Sequence, residues 1–326
     1  MNHKVTILMA VYNGEKYLNE AIDSILEQTY HDYEFIIIND GSSDGSGKII
    51  QSYNDERIRF VNNERNIGLA STLNKGIKLS TSEYIARMDH DDISLPTRIE
   101  KQVAYLQKHK DVILLGTGCI EIDIAGKMVK QHRYHIKHKH LIKCFERGES
   151  PFPHSSVIYK TEVVKEINGY RNRLNDAEDL DLWLRLSFLG KIGCLSAPLI
   201  KLRKHEESIT AKSDKSIILS YGARVSYLLR KNGCLDPIEQ DERSSEVFLS
   251  WIKERLVKEQ VLQMIKFYSD LRKKFYRKDV DIFRRSIQLM IGLVISPYKF
   301  KFLHQKIFGS VLSVKLTAEW IQINAI

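Results

Sequence analysis

Val5-Thr6-Ile7-Leu8-Met9-Ala10-Val11-Tyr12-Asn13-Gly14 is a near-continuous apolar run that stops at a polar turn. A run of this kind is expected of a strand buried on both faces, with the turn at its carboxyl end. Glu15 to Gln28 follows, with Leu18, Ile22, Ile25 and Leu26 at helical spacing. Phe35-Ile-Ile-Ile38 reads as a second buried strand and ends in Asn39-Asp40-Gly41. A third strand fits Ile58 to Val61, a helix Gly68 to Leu79, and a fourth strand Tyr84 to Met88. Pro96 suits the first turn of a helix that reaches Gln107. Strand and helix alternate throughout, which predicts a parallel α/β sheet with helices on both faces.

The pattern changes after Val112. Ile120 to Ile124 and Lys127 to Val129 alternate around Ala125-Gly126, the signature of an antiparallel hairpin. From about Ser216 onward nearly all periodicity is helical, with interruptions at Gly233, Pro237 and Pro297. The expected boundary lies at 211–215, giving a catalytic α/β region over residues 1–212 and a helical region over 213–326.

The chain has 326 residues, 43% hydrophobic and 28% charged, with 6 Pro and 17 Gly, which excludes disordered and collagen-like classes. Cys119, Cys144, Cys194 and Cys234 are far apart and form no CxxC, so neither a disulfide framework nor a cysteine zinc site is expected. No signal region opens the sequence, and Ser286 to Tyr298 is too short to span a bilayer. The reading is of a soluble or surface-bound intracellular protein. The net charge of +9 comes wholly from the last third: residues 1–210 balance at 29 Lys+Arg against 29 Asp+Glu, and residues 211–326 carry 21 against 12. A basic segment of this kind approaches something anionic or forms a solvated helical face.

In an open parallel sheet the ligand site lies beyond the carboxyl ends of the strands. One edge therefore gathers Tyr12, Asp40, Asp89 and Asp91. Asp89, Asp91 and Asp92, three carboxylates in four residues, repel one another without a cation. Hard oxygen ligands suit Mg²⁺ or Mn²⁺ bridging to phosphates; the alternative is an acidic turn before the helix at Pro96. Asp40 to Lys48 fails as a phosphate-binding P-loop at Ser42 and Ile49, and no GxGxxG follows the first strand. A further acidic segment is Glu178-Asp179-Leu-Asp181-Leu-Trp183, where Leu180, Trp183, Leu184 and Phe188 predict a helix buried on one side. Asp179 borders that stripe and Glu178 is rotated about 100° from it, which makes Asp179 the better candidate to face a cleft. First-turn capping is the competing reading of both acids.

Five ordered segments together resemble glycosyltransferase family 2, with the GT-A fold, of the bacterial capsule, exopolysaccharide and O-antigen type. They are Val5 to Asn13, Asn39-Asp-Gly-Ser-Ser-Asp44, Asn66-Ile-Gly-Leu-Ala70, Met88-Asp-His-Asp-Asp-Ile93 and Glu178 to Trp183. The resemblance covers roughly residues 3–210. It implies a mixed, nucleotide-binding α/β sheet flanked by helices, followed by a mainly α-helical C-terminal region. It also implies an inverting transfer of a sugar from a nucleotide-sugar, with UDP-sugars favoured, to a hydroxyl of a glycan or lipid-linked acceptor. By the same resemblance Ala10, Tyr12, Asp40, Arg65 and Asp89 hold the nucleotide, with Asp40 accepting from the base. Asp89 and Asp91 match the DxD motif that holds Mn²⁺ or Mg²⁺ on the diphosphate, and His205 resembles a downstream ligand of metal or diphosphate. Asp179, paired with Glu178, matches the catalytic base. His90 departs from the small spacer common in DxD, and Pro151 to Ser156 matches an acceptor wall.

Tyr298 to Phe308, with Arg272-Lys273-Lys274 and Arg284-Arg285, mixes basic and aromatic residues and suits an anionic membrane face. This places the enzyme in the cytoplasm at the inner face of the plasma membrane; packing on the catalytic region or in a homo-oligomer is the alternative. Two other functions compete. A nucleotidyltransferase acting on sugar phosphates calls for a Gly-rich basic loop after the first strand, and Tyr12-Asn13-Gly14-Glu15 is a poor match. A non-catalytic binder of an anionic surface or nucleic acid lacks any zinc-finger or ribonucleoprotein motif here, so no nucleic-acid partner is expected.

Overall fold

The computed structural model describes residues 3–134, 137–205, 213–259 and 309–324. The basic and aromatic segments at 272–274, 284–285 and 298–308 lie outside the described residues, as do Ser286 to Tyr298 and Pro297. The chain divides into two compact units. One comprises Met1–Phe145 and Ser150–Ala211, the other Glu146–Glu149 and Lys212–Ile326.

The first unit is built on β1 (Val5–Val11), buried at every position, with β2 (Tyr33–Asn39) and β4 (Tyr84–Asp89) parallel on its two sides and β3 (Ile58–Asn62) beyond β2. Four helices pack around these strands: α1 (Leu18–Leu26), α2 (Ser46–Ser52), α3 (Leu69–Leu79) and α4 (Arg98–Lys108); α5 (His138–Glu146), α6 (Thr161–Glu166) and α7 (Glu178–Leu186) follow in the chain. The core runs from Ile7, Met9 and Val11 through Phe35 and Ile37 to Met88, Ile99 and Val103.

The second half departs from the all-parallel expectation. The sheet has the order β3-β2-β1-β4-β8-β6-β9-β5, with β7 paired to β6 off that path. Here β5 is Ile93–Ser94, β6 Val112–Ile122, β7 Met128–His132, β8 Ile158–Lys160 and β9 Lys191–Arg203. Strand β8 runs antiparallel to β4 and to β6, while β9 returns parallel to β6. The sheet is therefore mixed, as the GT-A resemblance implies. Periodicity could not show this, because β8 is only three residues long and β9 carries Pro198 and a shifting register. The turn between β6 and β7 is closed by Gly126 at φ 78°.

The second unit contains α8 (Asp214–Lys231), α9 (Glu242–Lys258) and α10 (Gly309–Asn324). Ser213 and Asp241 cap α8 and α9 by accepting from backbone N–H groups of the first turn. Phe248, Trp251 and Trp320 form an edge-to-face cluster with ring centres 4.9 and 5.0 Å from Trp320. Among the described residues no helix is long and apolar enough to cross a membrane.

Candidate active site

Strand register decides which residues meet. Ala10 lies opposite Asp89 and Val11 opposite Asn39, so β1, β2 and β4 end level with one another. The segments that follow them, Tyr12 to Glu15, Asp40 to Gly45 and His90 to Asp92, are thereby brought to one edge. The first two are stitched together directly. Asn13 N–H donates to Ser42 Oγ at 3.0 Å, Ser43 N–H to Asn13 Oδ1 at 2.9 Å, and Gly45 N–H to Glu15 Oε2 at 2.6 Å. Asn13 holds φ 50°, a left-handed conformation that asparagine tolerates.

Asp40 is buried and both of its carboxylate oxygens are engaged. Oδ1 accepts from Asn63 Nδ2 at 2.8 Å and Ile67 N–H at 3.0 Å; Oδ2 accepts from Gly68 N–H at 3.0 Å. Its local work is to hold the 63–68 loop against the sheet edge. Gly41 is required there: it sits at φ 68°, and a Cβ would lie 2.5 Å from the Arg65 carbonyl carbon. The Arg65 side chain itself is exposed, Ala10 is buried, and Tyr12 is 47% exposed at the rim.

Beyond β4, single ligand oxygens of Asp89, Asp91 and Asp92 lie within 4.8 Å of one another. Their surroundings separate them. Asp92 is fully buried, accepting from the Ser155 hydroxyl and from Arg203 N–H at 2.9 Å. Burial pushes its carboxyl well above the usual range, and the charges of Asp91 and Asp89 add to the rise. Asp91 Oδ2 meets His205 Nε2 at 2.9 Å, and Asp89 pairs through Oδ2 with Arg87. Among the described residues, the other carboxylate oxygen of Asp89 and of Asp91 has no hydrogen-bond partner. Arg203 braces the group, donating to the Asp91 carbonyl at 3.0 Å and to Glu20 at 2.7 Å, with its guanidinium 4.4 Å from the Tyr17 ring centre. Asp89 and Asp91 are thus brought together, with His205 held on Asp91, and it is the carboxylate oxygens that fit a hard divalent cation.

His90 turns back onto β1. Its Nδ1 lies 3.3 Å from the Ala10 carbonyl, and a Cβ on Gly14 would come within 2.3 Å of its ring. The DxD spacer thus packs on the β1 turn, which explains why a ring fits where a small residue is common: Gly14 leaves the space.

The acidic pair lies at the start of α7 (Glu178–Leu186). Asp176, just before it, takes φ 90°, a strained value for a non-glycine residue, and its N–H donates to Glu178 Oε2 at 2.7 Å. Glu178 is 6% exposed; burial, and then the charge of Asp179, pushes its carboxyl up to about 7. Asp179 is partly exposed, and its carboxyl is also raised, by burial first, with Leu180 N–H and Arg87 working against the rise. The one-sided stripe expected of this helix is not what forms. All of Leu180–Leu186 is buried, so the helix is sunk around its circumference, and Phe188 lies past its end, 44% exposed. The polar members survive burial by pairing: Asp181 is held by Arg171 and by Arg185 at 2.9 Å. Residues Pro151 to Ser156 are likewise mostly interior. Phe152 and His154 pack edge-on against Trp183, and His154 Nε2 lies 2.7 Å from the Tyr170 hydroxyl.

Arg87 was not singled out by any sequence motif. It is 2% exposed, paired to Asp89, and its charge bears on Glu178, Asp179 and His154. It pairs with the acid cluster at the end of β4, and its charge also acts on the acidic pair of α7. A basic residue at an inward position of β4, inside an otherwise apolar strand, was the available signal.

A profile of the family described as Glycosyl transferase family 2 matches residues 6–167. The amylovoran biosynthesis glycosyltransferase AmsE of Erwinia amylovora is 31% identical over 269 residues, covering 80% of this chain and 97% of that one. Among solved structures, S. aureus TarS residues 1–349 in complex with UDP-GlcNAc has a TM-score of 0.59 at 19% identity, covering 78% of this chain and 73% of that chain. The mannosyltransferase PcManGT from Pyrobaculum calidifontis, in complex with GDP-Man and Mn2+, has a TM-score of 0.56 at 15% identity, covering 98% and 88%. The chain belongs to glycosyltransferase family 2, and its mixed sheet has the GT-A architecture. It is a glycosyltransferase.

Proposed function

We propose that this chain catalyses an inverting, divalent-metal-assisted transfer of a sugar from a nucleotide-sugar to a hydroxyl of a glycan or lipid-linked acceptor in polysaccharide synthesis, with residues 1–212 as the catalytic region and 213–326 as a basic helical appendage. The observation that carries the reading is that buried Arg87, paired to Asp89 beside Asp91, also exerts its charge on Glu178 and Asp179 of the second acidic group. AmsE, by name a biosynthetic glycosyltransferase, supports the polysaccharide setting, and the nucleotide-sugars bound by TarS and PcManGT support the donor class. Those two donors carry different nucleotides; the preference for a UDP-sugar rests on the family likeness.

In this reading Ala10, Tyr12, Asp40 and Arg65 shape the nucleotide edge. Asp40 does so first by fixing Ile67 and Gly68, and only its remaining lone pairs face a base. Asp89, Asp91 and His205 would hold Mn²⁺ or Mg²⁺. Bound there, the ion supplies Lewis-acid neutralisation of the departing diphosphate. Asp179 accepts the proton of the attacking hydroxyl. Glu178, protonated over much of the range below neutrality, keeps a second full charge away from Asp179. A base and a leaving-group site on separate segments suit attack from the face opposite the leaving group.

The test is binding and slow hydrolysis of UDP-, dTDP- and GDP-sugars with and without Mn²⁺, for the native chain and Asp91→Ala. The expected result is metal-dependent selection of one nucleotide class, lost in Asp91→Ala. Binding of no donor under any metal condition contradicts the proposal.

A further inference from the structure

The zero net charge of residues 1–210 is an average that hides a segregation. Between residues 124 and 145 stand Lys127, Lys130, Arg133, Lys137, Lys139 and Lys143, with no Asp or Glu. All six side chains are exposed, and among the described residues none of them forms an ion pair. The first three belong to the β6–β7 hairpin. Every residue from Ile124 to Gln131 is exposed, and among them Ile124, Met128 and Val129 are 62, 61 and 64% exposed. Strand β7 pairs only with β6 among the described residues, and no described residue of the first unit covers these apolar groups. Three large exposed apolar side chains in one hairpin, interspersed with three cations that form no ion pair among the described residues, match a polar–apolar boundary that carries negative charge.

The hairpin also adjoins the site. Lys204 N–H donates to the Ile122 carbonyl at 2.9 Å, and Arg203 reaches both the Asp91 carbonyl at 3.0 Å and the Asp123 carbonyl at 3.4 Å. The root of the hairpin is therefore braced by the same arginine that braces the acidic cluster.

We propose that the Ile124–Arg133 hairpin is a membrane-contact element of the first unit that seats the rim of the acidic site on an anionic lipid surface. The apolar tip enters the interface, and Lys127, Lys130 and Arg133 lie at the headgroups. The apolar exposure is what favours lipid over nucleic acid, which calls for charge with stacking or groove contacts instead. The inference concerns lipid binding alone and stands apart from donor choice and catalysis.

The test uses the full chain with vesicles of phosphatidylcholine alone, and of phosphatidylcholine mixed with phosphatidylglycerol. Three proteins are compared: the native chain, Lys127→Glu/Lys130→Glu/Arg133→Glu, and Ile124→Ser/Met128→Ser/Val129→Ser. Urea midpoints serve as the check on folding. Each basic side chain near such a surface is worth roughly fivefold in partitioning, so the charge variant should bind anionic vesicles at least about a hundredfold more weakly. The apolar variant should weaken comparably, and both should keep native donor hydrolysis. In a fourth protein, Met128→Trp, the added emission should shift to shorter wavelength on anionic vesicles and be quenched by brominated acyl chains. Unchanged vesicle binding in both triple variants would show that another region carries the contact and overturn the proposal. Equal binding to neutral vesicles, no binding by the native chain, or tighter binding to an RNA oligonucleotide than to anionic vesicles would overturn it as well.

Discussion

Asp181 shows how members of one acidic run differ by the partners they meet in the fold. Burial alone would raise its carboxyl, yet Arg185 and Arg171 hold it below the usual carboxylate range. Removing it takes from buried Arg185 and half-buried Arg171 the carboxylate they share. Asp181→Ala should therefore lose about 3–5 kcal/mol of stability in urea unfolding, a large share of a typical domain's total; a change below about 1 kcal/mol would contradict this role. Glu178 behaves in the opposite sense. Its carboxyl is raised in the fold to about 7 from a usual 4.5, so the folded state binds the proton more tightly. The stability this contributes is complete below pH 4.5 and is lost as pH rises toward 7. Glu178→Gln should flatten the fall in melting temperature across that window, and an unchanged slope would mean that Glu178 is not the group responsible. Sequence alone separates these three acids poorly. Spacing on a helix shows which residues share a side, but α7 is buried on nearly every side, and its acids differ by the partners that distant segments bring. Arg171, ten residues before Asp181, and Arg87, on another strand, have no signature in the run itself.

At the scale of elements, the strands legible in the sequence are those whose burial follows their own composition. β1, β2 and β4 are apolar almost throughout, and their polar ends announce the site edge. The strands beyond β4 are legible only in part. β6 and β9 pair over most of their length but shift register at three places, two of them beside Gly118. There a Cβ would lie 2.5 Å from the His132 carbonyl oxygen and 3.0 Å from that of Ser196. Three strands approach one another too closely for any side chain. Gly118→Ala should therefore cost about 1–3 kcal/mol, read as a lower urea midpoint, while leaving donor selection intact. A variant as stable as the native chain would show that the strands part easily at this point. The hairpin was legible as a turn, but its charge was lost in a total taken over 210 residues.

For the whole molecule, the proposed function divides the work between two acidic groups that both feel the charge of buried Arg87. In the proposed function, the acids at the end of β4 would hold the donor through a metal, and the acidic pair of α7 would activate the acceptor. Ordered sequence motifs pointed to both halves, because each sits where a strand ends or a helix begins. Their meeting could not be read in the sequence, since it depends on β8 reversing direction and on the 151–156 segment filling the space beneath α7. The most direct test compares Asp179→Asn with Asp91→Asn, measuring donor affinity with Mn²⁺ and single-turnover consumption of the donor that the native chain selects. The account predicts that Asp179→Asn binds donor within a few-fold of native while turnover falls by about 10²–10⁴. Asp91→Asn, in contrast, should lose metal-dependent binding itself. Native turnover in Asp179→Asn, or donor binding lost equally in both variants, would contradict the division.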